Sequence, residues 1–208
     1  MLSKKTGVPA EFYDEEYFTK GTKSNYGGRF APYIFEVYYP LAKEFSLRFV
    51  EVFEPKKAMV LGCARGYLVR ALRERNVEAY GIDISEWAIK NADEKIKDYV
   101  YLGNINDMDR WKNGEFDLII ASDVLEHIEK QELVKVLNEI VRICGKYVYV
   151  YVPVVDNGRD KSHISIFPSE WWIKQFAKRG LTCFSRVTRK QVDGITACEM
   201  AFFKRGGR

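Results

Sequence analysis

A chain of 208 residues holds one α/β domain with a full core, or that domain with a small appendage. Apolar residues at 47% and charged residues at 30% mark a soluble globular protein, and no apolar run approaches the length of a membrane span. The net charge of +4 permits an acidic partner without requiring one. Four scattered cysteines, two histidines and no C-x-x-C pair argue against zinc and for a reduced, cytoplasmic setting.

Residues 1–31 lack the apolar core of a secretory signal and show no clean period, which predicts an irregular arm. One short helix is expected near Glu11–Phe18, docked through Phe12, Tyr13, Tyr17 and Phe18. The turn-rich piece Ser24–Gly28 reads either as a lid over a ligand or as a strap packed on the core. Residues 32–53 carry apolar residues at helical spacing, with Pro40 expected to divide or kink the helix.

The run Ala58–Leu61 predicts a buried strand that breaks into Gly62-Cys63-Ala64-Arg65-Gly66, followed by a helix to about Arg75. A second strand, Glu78–Ile82, ends at Asp83, and Ser85 caps a helix over Glu86–Lys95. The third strand, Asp98–Leu102, leads into a polar turn at Gly103–Asp107. After a fourth strand, Phe116–Ala121, Ser122 or Asp123 is expected to cap a short helix with Glu126 reaching back in a capping box. The helix Lys130–Ile143 precedes strand Lys146–Val152, which Pro153 is expected to stop.

A loop at 154–167 leads to a helix with Pro168 in its first turn, ending near Gly180. The runs Leu181–Thr188 and Thr196–Lys204 flank Asp193-Gly194 and read as a hairpin. Five strand–helix units predict an α/β fold with a mostly parallel, seven-stranded open sheet, helices on both faces and a C-terminal antiparallel hairpin at one edge. The turns after the first four strands then share the carboxyl edge, where such sheets bind ligands.

The first of these turns, with Gly62 and Gly66, brings bare backbone and a helix start toward a ligand. Asp83, at the end of the next strand, is placed to accept both ribose hydroxyls of a nucleoside. The spacing is G-x-A-x-G, which departs from the dinucleotide pattern G-x-G-x-x-G.

Taken in order, VLGCARGYL, YGIDIS, GNIND, FDLIIASDVLEHI, GKYVYVYVP and HISIFPSEWWIKQFAKRGL resemble the motifs of class I S-adenosylmethionine-dependent methyltransferases. The late segment resembles the small-molecule and lipid-like (methyltransferase type 11-like) subgroup. The likeness runs from about Ala58 to Phe203. It implies a Rossmann-like sheet, a core at 56–208 and an N-terminal cap at 1–55 belonging to the same domain. The implied cofactor is S-adenosylmethionine, with S-adenosylhomocysteine as product.

By the same resemblance Gly62, Cys63, Ala64 and Gly66 would face the methionine part, and Asp83 the ribose. Ile84, Asn104 and Ile105 would hold adenine, and Ala121 and Ser122 would lie beside the sulfonium. Tyr26 would close from the arm, while His127 and His163 are the candidates for catalytic roles; no metal is implied. Trp171 and Trp172 are candidates for an apolar pocket wall, although adjacent helical residues cannot share one face. Cys63 reads more simply as a small wall residue than as a reactive thiol. Three positions depart from the family pattern: Val60 where an acid is usual, Ala64 for the second glycine and Asn104 for an aspartate.

A small-molecule or lipid-like acceptor follows from the resemblance. The alternatives are methylation of RNA or protein, cofactor binding without catalysis, and a nicotinamide oxidoreductase. The spread of basic residues, with no added RNA-binding module, argues against nucleic acid.

Overall fold

The protein is described by a computed structural model covering residues 8–21, 32–156, 158, 160–191 and 194–205. Tyr26, the rest of Ser24–Gly28 and Asp193 lie outside the described residues.

Seven strands form one sheet: β1 (Lys57–Leu61), β2 (Glu78–Asp83), β3 (Val100–Leu102), β4 (Phe116–Ser122), β5 (Cys144–Val155), β6 (Leu181–Lys190) and β7 (Thr196–Lys204). Their spatial order is β3-β2-β1-β4-β5-β7-β6. The first five pair in parallel, and β7 pairs antiparallel with both β5 and β6. Strand order reverses between β1 and β4, so a crevice opens beyond Leu61 and Ala121, which are register partners.

Side chains of β1 alternate between two cores, as the pleat requires. Ala58 and Val60 pack with Phe49 and Phe53 of α2 (Phe35–Phe53) and with Val69 and Leu72 of α3 (Tyr67–Arg73). Met59 and Leu61 face the opposite side, where α5 (Lys130–Ile143) and α6 (Ser169–Ala177) pack. On α5 the buried Leu133, Val136, Leu137, Ile140 and Ile143 recur at helical spacing, which explains why this stretch folds as one amphipathic helix. Helices therefore cover both faces, as expected. Among the described residues, no helix is long and apolar enough to cross a membrane.

Four local expectations are corrected. Pro40 does not divide α2; the helix runs from Phe35 to Phe53 with Tyr39, Ala42, Phe49 and Phe53 buried along it. The helix after Ser85 is α4 (Glu86–Lys90), with Ser85 Oγ accepting from the Ala88 N–H. Arg65 Nε takes the Asn91 carbonyl at 2.7 Å just beyond it, and Asp93 caps a separate 3-10 turn at Glu94–Tyr99. That turn consumes Asp98 and Tyr99, leaving β3 only three residues long. Strand β5 runs through Pro153 to Val155, where it has outrun β4 and pairs with β7 alone. An edge of this kind tolerates a residue without an N–H.

The fourth correction is at Leu125–His127, a 3-10 turn with no side-chain cap, so there is no capping box. Glu126 points inward instead and is fully buried. The arm contains a 3-10 turn at Ala10–Phe12 and a short helix α1 (Glu15–Thr19), capped by Asp14. Its aromatics form a chain of ring contacts that ends with Phe18 stacked on Trp87, at 5.4 Å between centroids.

Candidate functional site

The turn after β1 takes its shape from backbone conformation. Gly62 and Gly66 have φ of +65° and +76°. A Cβ on Gly66 would stand 2.4 Å from Ile96 Cδ1 in left-handed backbone, so a side chain there is strained and must displace Ile96. Ala64 occupies the left-handed region at φ +47°. That sparsely populated conformation is held from the next strand, where Asp83 Oδ2 accepts the Ala64 N–H at 2.7 Å. Asp83 Oδ1 accepts the Ser85 N–H at 2.8 Å.

The Asp83 carboxylate is 8% exposed. Burial raises its pKa above the usual carboxylate range, while backbone donors at Ser85, Ala64 and Ile84 pull the other way. Each oxygen has more than one lone pair, so capacity for further donors remains.

The turn and Asp83 open into a cavity of about 360 Å³. Its lining includes Val60, Gly62, Cys63, Ala64, Asp83, Ile84, Asn104, Ile105 and Ser122, together with His127. The cover comes from Tyr13, Tyr17, Phe18, Tyr33, Tyr38, Leu41 and Phe45, in the arm and α2. Mostly apolar walls with a few convergent polar groups are the usual make-up of a small-molecule site.

Three expected residues stand off the cavity wall. Ala121 is buried in the core beneath α5 and α6, so Ser122 is the residue of that pair facing the cavity. Gly66 serves the turn from behind, against Ile96. His163 lies one layer back, against His127. Both tryptophans serve packing instead of walling the pocket: Trp172 is fully buried, and Trp171 stacks on Phe167 at 4.0 Å.

Asn104 is exposed, and its Oδ1 already accepts the Asn106 N–H at 3.0 Å, closing an Asx turn. Burial pushes the Cys63 thiol well above its ordinary pKa, which leaves it a wall residue.

The two histidines meet because the loop after β5 is stapled beneath the turn after β4. The Glu126 carbonyl accepts the N–H groups of both Ile164 and Ser165 at 2.9 Å. Ser165 Oγ donates to the Ile128 carbonyl at 2.6 Å. The rings of His127 and His163 then stand 5.1 Å apart between centroids. His127 Nδ1 faces the Ser162 carbonyl at 3.1 Å, which places its proton on Nδ1 and the lone pair on Nε2. His163 Nδ1 lies 3.3 Å from Asp156 Oδ2, and its Nε2 lies 3.8 Å from Asp160 Oδ2.

Burial lowers the His127 pKa to about 4, with His163 adding to the effect, so His127 is neutral near pH 7. Burial raises Glu126 well above the carboxylate range, reinforced by Asp123. Asp123 lines the cavity on its solvent-open side, where the surrounding protein raises its pKa against a hydrogen bond from Ser122 and the nearby His163. Sequence reading missed the acidic members of this group because D-V-L-E-H-I looks like a capped turn. Only the fold turns Glu126 inward.

Residues 59–152 match the family model described as a methyltransferase domain. No curated protein matches the chain in sequence. Among solved structures, magnesium protoporphyrin IX methyltransferase of Synechocystis PCC 6803 with bound SAM is similar at a TM-score of 0.69 and 12% identity, covering 97% of this chain and 100% of that one. The 1,6-didemethyltoxoflavin-N1-methyltransferase of Burkholderia thailandensis, with 1,6-didemethyltoxoflavin and S-adenosylhomocysteine bound, gives 0.63 and 13% over 81% of this chain and 79% of that one. The cyclase SpnF gives 0.64 and 12% over 78% and 80%. At these identities the likeness is one of fold, and a cyclase shares it.

Proposed function

We propose that the chain, whose residues 59–152 match a methyltransferase-domain model, moves the methyl group of S-adenosylmethionine to a small, largely apolar acceptor. The observation that carries this reading is the joining of the Gly62–Gly66 turn and the Asp83 carboxylate to one cavity covered by aromatic side chains.

The residues fit that cofactor. A Cβ on Gly62 would come within 2.9 Å of Val124 Cγ2, so the turn keeps bare backbone toward the cavity. Asp83 retains lone pairs for two ribose hydroxyls after binding its backbone donors. Ile84 and Ile105 supply apolar flanks for adenine, and the exposed Asn104 an edge contact. Ser122 serves the region of the sulfonium.

When bound, the cofactor supplies a methyl group on a sulfonium, already a good leaving group. The chain's own task is to align the acceptor at about 3–3.5 Å and exclude water, where proximity contributes most of the rate. Tyr13, Tyr17, Tyr38, Leu41 and Phe45 perform both parts by covering the cavity. His127, with His163 packed behind it, is assigned to the acceptor side. A base is required only for an acceptor that arrives protonated. In this reading residues 1–55 act as a cap on the core at 56–208, and four free cysteines suit a cytoplasmic setting.

The test is turnover of methyl-labelled S-adenosylmethionine with a panel of small aromatic and aliphatic hydroxyl, amine and carbon acceptors. Label transfer to one of them, abolished by Asp83→Ala, is expected. Tight cofactor binding with no transfer to small molecules, RNA or protein would favour a non-catalytic binding protein.

A further inference from the structure

Glu126 is 0% exposed, and neither of its carboxylate oxygens has a hydrogen-bond partner among the described residues. In that condition the charged form of a buried carboxylate is strongly disfavoured unless a cation or donor accompanies it. Its immediate neighbours are the two imidazoles. One donor atom from each of Glu126, His127 and His163 lies within 4.8 Å of the others.

We propose that Glu126, His127 and His163 form a binding site for a divalent transition-metal ion at the acceptor end of the cavity. Donors about 2.1 Å from one tetrahedral ion stand about 3.4 Å apart, so the three side chains need to close by up to about 1.4 Å. Two nitrogens and one oxygen favour ions of the manganese-to-zinc series over magnesium or calcium, which prefer all-oxygen shells.

The surroundings are those of metal-ligating histidines. His127 is held through Nδ1 by the Ser162 carbonyl, which leaves the Nε2 lone pair facing Glu126 Oε1, 3.8 Å away. His163 has Asp156 Oδ2 at 3.3 Å from Nδ1 and Asp160 Oδ2 at 3.8 Å from Nε2, and Asp123 adds negative charge beside Glu126. Loop and turn are locked by the two N–H groups on the Glu126 carbonyl, so the donors sit on a fixed frame.

Three protein ligands leave coordination positions open, and His127 lines the cavity, so an open position faces the acceptor. The acceptor class this implies is one with an oxygen donor, a hydroxyl or carboxylate beside its apolar body. This last step rests on the methyl-transfer reading, whereas the ion site itself does not. No metal-ligand spacing is visible along the chain, because the two histidines come from separate loops.

The test is titration of the chelator-stripped full chain with Co²⁺, read by its visible ligand-field bands and by calorimetry, with Zn²⁺ and Mg²⁺ in parallel. One equivalent of Co²⁺ should bind, Zn²⁺ should displace it, and Mg²⁺ should not. His163→Gln and Glu126→Gln should each weaken Co²⁺ by at least about tenfold, with circular dichroism confirming that the variants fold. Absence of one-equivalent binding to the folded wild-type chain would overturn the proposal, as would unchanged affinity in both folded variants or a preference for Mg²⁺. S-adenosylhomocysteine titrated into the same sample separates the two readings, since its failure to bind would count against the cofactor and leave the Co²⁺ result standing.

Discussion

The Ala64 N–H donates to Asp83 Oδ2 at 2.7 Å, tying the first turn of the sheet edge to the end of the second strand. One carboxylate thereby holds a strained alanine and faces the cavity at once. Removing it should disturb both. Asp83→Ala is expected to lower unfolding free energy by about 1–3 kcal/mol, because the Ala64 and Ser85 N–H groups lose their acceptor. Asp83→Asn keeps one acceptor oxygen and sheds a charge that burial disfavours, so it should cost less than half as much. Urea melts of the three proteins check the order.

Gly66→Ala should cost about 2 kcal/mol or more, since a side chain there meets Ile96 at 2.4 Å in a left-handed backbone. Gly180→Ala is the comparison: φ is also positive there, at +85°, but nothing lies within 4 Å of the added carbon. Its cost should be about 1 kcal/mol. Equal losses in the two variants would show that the Ile96 contact is unimportant.

Trp172 and Trp171 should separate sharply. Trp172→Ala is expected to cost about 3–5 kcal/mol, the usual figure for a fully buried tryptophan, and Trp171→Ala clearly less. Trp172→Phe should be far milder than Trp172→Ala, because the buried Trp172 Nε1 has no hydrogen-bond partner among the described residues to lose. Thermal unfolding measures all three.

Acid should act through Glu139. Its carboxylate accepts from Arg142 Nε and Nη2 at 2.8 Å, and Arg142 in turn ties α5 to the carbonyls of Met108 and Trp111. The hydrogen bonds from Arg142 lower the Glu139 pKa. A group depressed in the folded state binds fewer protons there than in the unfolded chain. Its stabilisation is therefore full above the unfolded value of about 4.3 and is lost as pH falls through the lower folded value. Glu139→Gln should flatten that part of the stability profile and leave the neutral-to-alkaline part parallel to the wild type. Denaturant melts across the acid range provide the measurement.

The sheet was readable from sequence because each buried strand is short, apolar and followed by small or polar residues. The run Ala58–Leu61 before Gly62 and the run Glu78–Ile82 before Asp83 need little more than hydrophobic period and turn chemistry. Failures came where a tertiary contact overrides a local signal. Arg65 takes the Asn91 carbonyl near the end of α4, and Glu126 is drawn inward by a loop that arrives only after β5. The aromatic cluster of the arm was visible in Tyr13, Tyr17 and Phe18, but its position over the cavity depends on how the arm folds back across the sheet edge. The meeting of His127 and His163 was illegible for the same reason, since proximity between separate loops leaves no spacing to read.

The measurement closest to the central claim is calorimetric titration of the full chain with S-adenosylhomocysteine, beside Asp83→Ala and with NAD as a control. The account predicts saturable binding by the wild type, a loss on the order of 10-fold or more in the variant from two missing charge-assisted hydrogen bonds, and no binding of NAD. Failure of the folded wild type to bind S-adenosylhomocysteine or S-adenosylmethionine, or equal affinity in Asp83→Ala, would contradict it.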